Sequence, residues 1–284
     1  MRRLHIGRKV TFIFGLGLAI VYAMPFLLVI LNSLKGKYAI LEDPIAFPEK
    51  FEFKNFTKAL DRMHYWTTLT NSAIITTASL ICLIVVSSML AYYLARKHTT
   101  FSKTVFMILV ASMIVPFQAL MIPFTTFFGG KGTMGFLHFL KELSQVGLVV
   151  FYIGFGVAMT TFLYHGFISN IPYELDEAAK LDGASDLGVF WKVIFPMLTP
   201  VTATVAIINA LWIWNDFLLP WRVLGTNSED VWTLPLSTYT FYGMYSAEYG
   251  LAMAGLLLSV TPIVIFYFIL QRQIISGISS GAVK

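Results

Sequence analysis

Charge is what this 284-residue sequence has least of. Asp, Glu, Lys and Arg make up 12% of the residues, whereas soluble domains average about a quarter. Hydrophobic residues make up 57% of the chain, and its mean hydropathy is +0.74. Such a composition excludes an ordinary soluble domain and indicates a membrane protein.

The few charges also leave long gaps between them. Six segments contain no Asp, Glu, Lys or Arg: 10–34, 63–95, 104–130, 143–173, 193–215 and 249–271. Each exceeds the roughly 20 apolar residues that an α-helix needs to cross a bilayer. Backbone groups inside the bilayer have no water to pair with, which favours helices over isolated strands. We therefore expect an all-α membrane protein with six transmembrane helices, forming a single domain over residues 1–284.

Several of these segments carry further signals, and Pro25, Pro116, Pro123 and Pro262 lie inside them, where a proline can bend a helix. The first continues through Pro25 to Leu34 without a small-residue cleavage site, so it is interpreted as a spanning helix and not as a signal peptide. In the fourth, Gly154 and Gly156 offer small surfaces at which another helix could approach closely.

Residues for catalysis or metal binding are also scarce. The single cysteine, Cys82, excludes an intrachain disulfide and a cysteine-based metal site. The five histidines lack metal-ligand spacing, and "FGGKGT" at 128–133 lacks the order of a phosphate-binding P-loop. Asp216 is the one acid associated with a predicted span, and it stands near the outer end of the fifth, whereas a proton or sodium relay needs acids or histidines near the middle of the membrane. We expect a chain that is not an enzyme, holds no metal or cofactor, and takes its driving force from another protein.

The cations flank the apolar segments, which indicates a membrane-facing role and not nucleic-acid binding. Arg2, Arg3, Arg8 and Lys9 precede the first segment, and "RKHTTFSK" at 96–103 holds three cations and no acid. The positive-inside rule places both stretches, and hence both termini, in the cytoplasm.

Alternation along the chain then places residues 35–62, about 129–142 and 217–248 outside. In the first of these loops, "NFTKALDRM" predicts a short helix capped by Asn55. The last, at 222–248, is rich in aromatic residues. It fits either an interfacial aromatic belt or a docking surface for an external partner.

The stretch "ELDEAAKLDGAS" at 174–185 holds four acids and a lysine in a chain that otherwise avoids charge. Asn170 before it and Gly183 near its end predict a short capped helix with acids in its first turn. "LGVFWKVIFP" then predicts a second short helix that stops at Pro196, before Thr199 begins the fifth span. These residues alone fit either a solvated loop with two helical turns or a helix that docks onto a partner.

The segment "EAAKLDGASDLGVFWKVIFPMLTP" at 177–200 closely resembles the EAA loop of the membrane subunits of bacterial ATP-binding-cassette importers. The matching positions are Glu177, Ala178, Ala179, Asp182, Gly183, Phe190, Ile194 and Pro196. "NSLK" at 32–35, "WNDFLLP" at 214–220 and the terminal "GAVK" further resemble the carbohydrate-importing, maltose-type branch.

This resemblance implies a permease subunit of the bacterial inner (plasma) membrane, with a cytoplasmic EAA coupling loop at about 170–196 between the fourth and fifth spans. Its partners would be a second permease forming a heterodimer, two cytoplasmic ATPases that bind ATP and Mg²⁺, an extracytoplasmic binding protein that delivers a sugar or oligosaccharide, and membrane lipid. Transport would proceed by alternating access driven by the ATPases.

The resemblance also implies roles for individual residues of the coupling loop. Glu177 would pair with a basic residue of the ATPase, Ala178 and Ala179 would form the close-contact surface, and Gly183 would be the turn that lets the helix end inside the ATPase cleft. Asp182 belongs to the same set of coupling residues. The tail from 277 to 284 would reach between the two ATPases, and the loop before the last span would reach into the binding protein.

Sugars are recognised by aromatic stacking combined with hydrogen bonds, so the candidate substrate residues are Asn71, Asn209, Trp212, Trp214 and Asn215. Each of them would also suit helix packing. Two alternatives to a sugar importer remain open on the sequence: a stand-alone channel or ion-coupled carrier that contains a helical loop, and an importer of another polar solute.

Overall fold

In the computed structural model, which describes residues 2–128, 144–242 and 248–282, regular structure is helical and the described residues form no strand. The longer helices and the short ones between them are α1 (Arg2–Ser33), α2 (Lys37–Glu42), α3 (Lys54–Arg62), α4 (Tyr65–Arg96), α5 (Thr100–Ser112), α6 (Phe117–Phe128), α7 (Gln145–Ile168), α8 (Glu174–Leu181), α9 (Asp186–Met197), α10 (Thr199–Asn215), α11 (Leu218–Leu224), α12 (Leu234–Ser237) and α13 (Tyr249–Ala282). The prediction of an all-α protein is confirmed at this level.

By length and composition, four of the described helices could each cross a membrane: α1, α4, α7 and α13. They coincide with the first, second, fourth and sixth charge-free segments. The fifth segment falls in α9 and α10, which are bent by 77° at Leu198 and count as a fifth span if the pair is taken together.

The third charge-free segment is divided. It predicts one spanning helix, whereas the structure has α5 and α6 with a break at residues 113–116. Pro116 has no backbone N–H to donate, and its ring disfavours the helical conformation at Val115. The break therefore follows from Pro116, whose effect on the backbone does not show in the hydropathy pattern.

The chain groups into two compact units, one formed by Met1–Trp66 with Ser237–Thr261 and the other by Thr67–Leu236 with Pro262–Lys284. The single domain expected from the sequence remains a prediction. The loop expected at about 129–142 lies outside the described residues, as do 243–247 of the aromatic loop and the last two residues of the tail.

In the first unit, Asn55 satisfies the end of α1. Its amide nitrogen donates to the carbonyl oxygens of Ser33 and Lys35 at 2.8 and 2.9 Å. Carbonyls at a helix end lack the partner that a following helical turn would provide, and the Asn55 amide takes that place. The helix predicted at this place is confirmed as α3, but Asn55 lies inside its first turn, and the N-cap residue is Phe53. The prediction that Asn55 caps α3 is wrong, because its side chain serves another helix.

The second unit has a core in which α4, α7, α10 and α11 meet, with Leu83, Leu148 and Leu224 fully buried. Gly156 allows this approach, since a Cβ there would lie 3.0 Å from both terminal methyl carbons of Leu83. A Cβ at Gly154 would meet nothing within 4 Å. The expected close packing is thus confirmed for one of the two glycines.

Candidate functional site

Helix α8 begins and ends as the physical chemistry of its sequence requires. Three acids in its first turn, Glu174, Asp176 and Glu177, lie at the positive end of the helix dipole. At its other end Gly183 has φ +87°, and the N–H groups of Gly183 and Ala184 donate to the carbonyl oxygens of Lys180 and Ala179, both at 3.0 Å. This is a Schellman motif, and the predicted left-handed glycine is confirmed.

The predicted cap at the start of α8 is wrong. The amide nitrogen of Asn170 donates to the carbonyl oxygen of Gly166 at 2.7 Å, so this side chain closes the end of α7. The residue before α8 is Tyr173, whose side chain makes no capping hydrogen bond.

The predicted coupling residues do not all face the same way. Glu177, Ala178, Asp182 and Gly183 are exposed, and Leu181 between them has 89% of its surface exposed. Ala179 is half-buried and packs on a cluster that contains Ile171 and Val189. We define the exposed face of α8 as Glu177, Ala178, Leu181 and Asp182.

The buried side of α8 carries an ion pair that the sequence did not suggest. The Asp176 and Arg96 side chains are 2% and 11% exposed, and the Arg96 Nη2 lies 2.8 Å from the Asp176 Oδ2. Arg96 Nε and the Tyr92 hydroxyl both donate to Asp176 Oδ1, at 3.2 and 2.6 Å, and Arg96 Nη1 donates to the Ile171 carbonyl at 3.1 Å. The C-terminal end of α4 is thereby fixed to α8 by several directional bonds.

The second half of the loop is stabilised at both ends. Ser185 accepts a hydrogen bond from the Gly188 N–H at 3.2 Å and so caps α9. Lys180 pairs with Asp186 at 2.8 Å, and this hydrogen bond raises the pKa of the Lys180 amine.

Helix α9 continues through Pro196 to Met197, so the predicted stop at Pro196 is one residue early. Residues Phe190–Ile194 form a π-helical turn in which the Phe195 N–H donates to the Phe190 carbonyl. A proline close behind this turn is consistent with the irregularity, because Pro196 itself cannot donate. The 77° bend to α10 follows directly after Met197.

A cavity of about 640 Å³ lies between the broken helices α5 and α6 and the helices α7, α10 and α11. Its wall combines aromatic side chains with a few polar ones: Phe117, Phe155 and Trp212 with Ser112, Gln118 and Asp216. Asp216 accepts hydrogen bonds from the Tyr152 hydroxyl at 3.2 Å and from the Leu218 N–H at 3.0 Å. Pockets of this kind, mostly apolar with few polar groups, are typical of small-molecule sites.

Of the five predicted substrate residues, Trp212 is the one that lines this cavity among the described residues. Asn209 is buried, and its amide nitrogen donates to Thr160 Oγ1 and to the Val205 carbonyl. Trp214 is 9% exposed, and the amide of Asn215 donates to the Leu211 carbonyl at 2.8 Å.

Asn71 joins α4 to the segment 228–236, which leads into α12 and includes its first residues. Its amide nitrogen donates to the carbonyl oxygens of Asp230 and Trp232, at 2.7 and 3.0 Å. The hydroxyl of the next residue, Ser72, accepts from the Leu234 N–H at 2.7 Å.

Gln118, Phe155 and Asp216 were not assigned to a substrate site from the sequence. The break at Pro116 is the feature that could have pointed to Gln118, because a broken span opens space inside a helical bundle. Over the described residues, no three His, Cys, Asp or Glu side chains form a group that could hold a metal.

The sequence is similar to those of known membrane transport proteins. A family model described as a binding-protein-dependent transport system inner membrane component matches residues 83–280. The chain is 37% identical over 284 residues, 100% of both chains, to a probable starch degradation products transport system permease protein of Thermoanaerobacterium thermosulfurigenes. It is 36% identical over 272 residues, 93% of both chains, to a multiple sugar-binding transport system permease protein of Streptococcus mutans.

Among solved structures, the fold is similar to a chain of a bacterial ATP-binding-cassette transporter involved in the import of the acidic polysaccharide alginate. The TM-score is 0.73 at 18% identity, with 96% of this chain and 98% of that chain covered. At this identity the similarity shows the fold alone. Because the family model spans more than half of the sequence and a relative matches its full length, the chain belongs to the family of inner membrane components of binding-protein-dependent transport systems.

Proposed function

We propose that this chain is a permease subunit of an ATP-binding-cassette importer that moves a sugar or oligosaccharide across the bacterial inner membrane. The observation that carries the proposal is the match over the full length of both chains, at 37% identity, to a permease for starch degradation products. A second relative is named for multiple sugars, and a third, 35% identical, for melibiose, raffinose and stachyose.

The membrane topology proposed here has six spans. The four long apolar helices supply four, α9 with α10 supplies the fifth, and α5 with α6 forms a broken span that completes the set. The cations at the N-terminus and in residues 96–103 support cytoplasmic termini and a cytoplasmic coupling loop between the fourth and fifth spans.

The exposed face of α8 is proposed to dock into a partner ATPase. Glu177 supplies a carboxylate for a basic residue of that partner, and the small Ala178 lets the two backbones approach. Leu181, with 89% of its surface exposed, supplies an apolar contact at the centre of this face. ATP and Mg²⁺ bind to the ATPases, and we expect no cofactor in this chain.

Alternating access would then be driven from outside the chain. Closure of two ATPases would move α8 of this chain and the equivalent helix of the second permease, with which it forms a heterodimer. The role of this chain is to bind, orient and release the substrate, without a chemical step.

The cavity beside Trp212 is proposed as this chain's share of the substrate pathway. Trp212 and Phe155 offer aromatic faces to a sugar ring, and Gln118 and Asp216 offer polar groups to its hydroxyls. The other four predicted substrate residues stay proposals, with less support, because their amide or indole groups are engaged or buried within the chain.

The test is co-expression with the partner permease, ATPase and binding-protein subunits of the same transporter, followed by purification through a tag on this chain. We expect a complex that hydrolyses ATP faster when its sugar-loaded binding protein is added. A tagged chain that retains neither an ATPase nor a second permease would overturn the proposal.

A further inference from the structure

Helix α4 is bonded at both ends to segments that the proposed function places on opposite sides of the membrane. Near its start, Asn71 and Ser72 make three hydrogen bonds to residues 230–234. At its last residue, Arg96 makes three contacts to residues 171–176.

The geometry of the Arg96 end is directional. Both oxygens of the Asp176 carboxylate meet the guanidinium fork, while a third nitrogen of the same group reaches the Ile171 carbonyl. A planar fork with three fixed contacts holds one orientation, unlike a lysine amine, which is a rotating point charge. The carboxylate is also almost inaccessible to solvent, since the Asp176 side chain is 2% exposed.

The Asn71 end is equally saturated. An amide nitrogen carries two hydrogens, and both are directed to carbonyl oxygens of the 228–236 segment. This explains why Asn71 stands away from the cavity beside Trp212: its donors are used to hold a backbone segment.

Between these ends α4 is built as a stiff rod. It runs from Tyr65 to Arg96 without a glycine or proline, and such residues are the usual sites of helix kinks. At 1.5 Å per residue, the distance from Asn71 to Arg96 along the axis is about 38 Å. Helix α7 connects the same two regions but contains glycines at 147, 154, 156 and 166.

We propose that α4 is a strut that couples the position of α8 to that of the 228–236 segment, with Arg96, Asp176 and Asn71 as its positioning residues. Movement of α8 by the ATPase is carried to the segment that precedes the last span, and engagement of that segment by the binding protein is carried back to α8. The inference rests on the proposed function, because that function supplies the partners at the two ends.

The experiment uses the assembled transporter with Arg96→Lys, Asn71→Ala and the double variant. Arg96→Lys keeps a positive charge beside Asp176 but loses the planar guanidinium fork. Asn71→Ala removes the donor to the carbonyls of Asp230 and Trp232, and the Asp230 carbonyl is already near solvent. The matched controls are Lys97→Ala, the exposed cation next to Arg96, and Thr77→Ala, an exposed polar residue of α4.

The measured quantity is the factor by which sugar-loaded binding protein stimulates ATP hydrolysis, with ATPase co-purification as the check on assembly. We expect each single variant to hold the ATPase yet lose about fivefold or more of the stimulation, the range of typical coupling between sites. The double variant should lose no more of the stimulation than the more affected single variant, because both substitutions break the same connection.

Hydrogen exchange on the purified chain gives the second readout. Arg96→Lys should speed exchange in 174–181, and Asn71→Ala should speed it in 230–234, while the controls change neither. Stimulation equal to the controls despite faster exchange, or losses that multiply in the double variant, would overturn the strut. A wild-type chain that binds no ATPase would instead reject the proposed function.

Discussion

Two consecutive acids of α8 have opposite surroundings. Asp176 is buried against Arg96 and Tyr92, whereas Glu177 is exposed and makes no ion pair with any described residue. Neighbouring helix positions point about 100° apart, which is why adjacent carboxylates can face different partners. The sequence pattern indicated Glu177, but Asp176 could not be assigned, because its partner is 80 residues away in the chain.

Glu177→Lys should weaken retention of the ATPase while the chain still inserts in the membrane. Removing one member of a buried charge pair at an interface typically costs about 2–5 kcal/mol, and a like charge adds repulsion. The measurement is the amount of ATPase that co-purifies over a range of salt concentrations.

Asp61→Lys, the same charge change at an exposed acid of α3, serves as the control for Glu177→Lys. Equal retention of the ATPase by both variants would assign Glu177 to solvent.

Asp43 gives a pH-dependent turn. The N–H groups of Ile45 and Ala46 donate to its carboxylate at 2.8 and 3.0 Å and lower its pKa below the ordinary 3.8. Since the folded pKa lies below the unfolded one, the turn is stabilised above the unfolded pKa and loses this stabilisation as pH falls through the folded pKa.

Amide exchange at residues 45 and 46, corrected for its intrinsic pH dependence, should therefore accelerate in the acidic range below 3.8. Asp43→Asn keeps a carbonyl acceptor and should show no such step. A step of equal size in that variant would mean that another group titrates.

The end of α8 depends on Gly183. A residue with a Cβ at φ +87° is strained by about 1–2 kcal/mol, and more if it is β-branched. We expect Gly183→Val to fray α8 and to weaken ATPase retention, and Gly183→Asn to do so less, because asparagine tolerates this conformation. Hydrogen exchange over 174–184 orders the three proteins, and an indistinguishable Val variant would contradict the assigned geometry.

The glycine pair of α7 offers a matched comparison. Gly156→Leu would press on Leu83 and Trp212, for which a Cβ alone already lies at 3.0–3.1 Å, and overpacking typically costs about 1–3 kcal/mol. At Gly154, which lines the cavity beside Trp212, a leucine side chain would enter open space. We expect a lower melting temperature for the first variant alone, and reduced transport at normal stability for the second.

At the level of elements, hydropathy predicted where most helices lie, because an apolar run in lipid has little alternative to a helix. It did not predict the break between α5 and α6 or the continuation of α9 past Pro196, which depend on local proline geometry. The caps assigned to Asn55 and Asn170 were wrong for a related reason. An amide can close the preceding helix as well as the following one, and tertiary packing decides between them.

For the whole molecule, family membership places the source of energy in another subunit. We expect liposomes that contain this chain alone to accumulate no sugar when ATP is supplied, because its sequence has no P-loop and it belongs to a family of membrane components. Radiolabelled sugar uptake, with liposomes containing the full complex as the positive control, measures this. Concentrative uptake by the chain alone would point to a self-sufficient carrier.

The composition of the first unit sets an order for events at the ribosome. That unit joins Met1–Trp66 to Ser237–Thr261, so its two parts are synthesised about 170 residues apart, an interval of about 9–34 s at 5–20 residues per second. Until Gly250 emerges, the turn fixed by Asn55 and Lys35 lacks the helix that packs against it. The first unit therefore closes only after residues 67–236 of the second unit have been synthesised, and the last part of the second unit, from residue 262 onward, follows it.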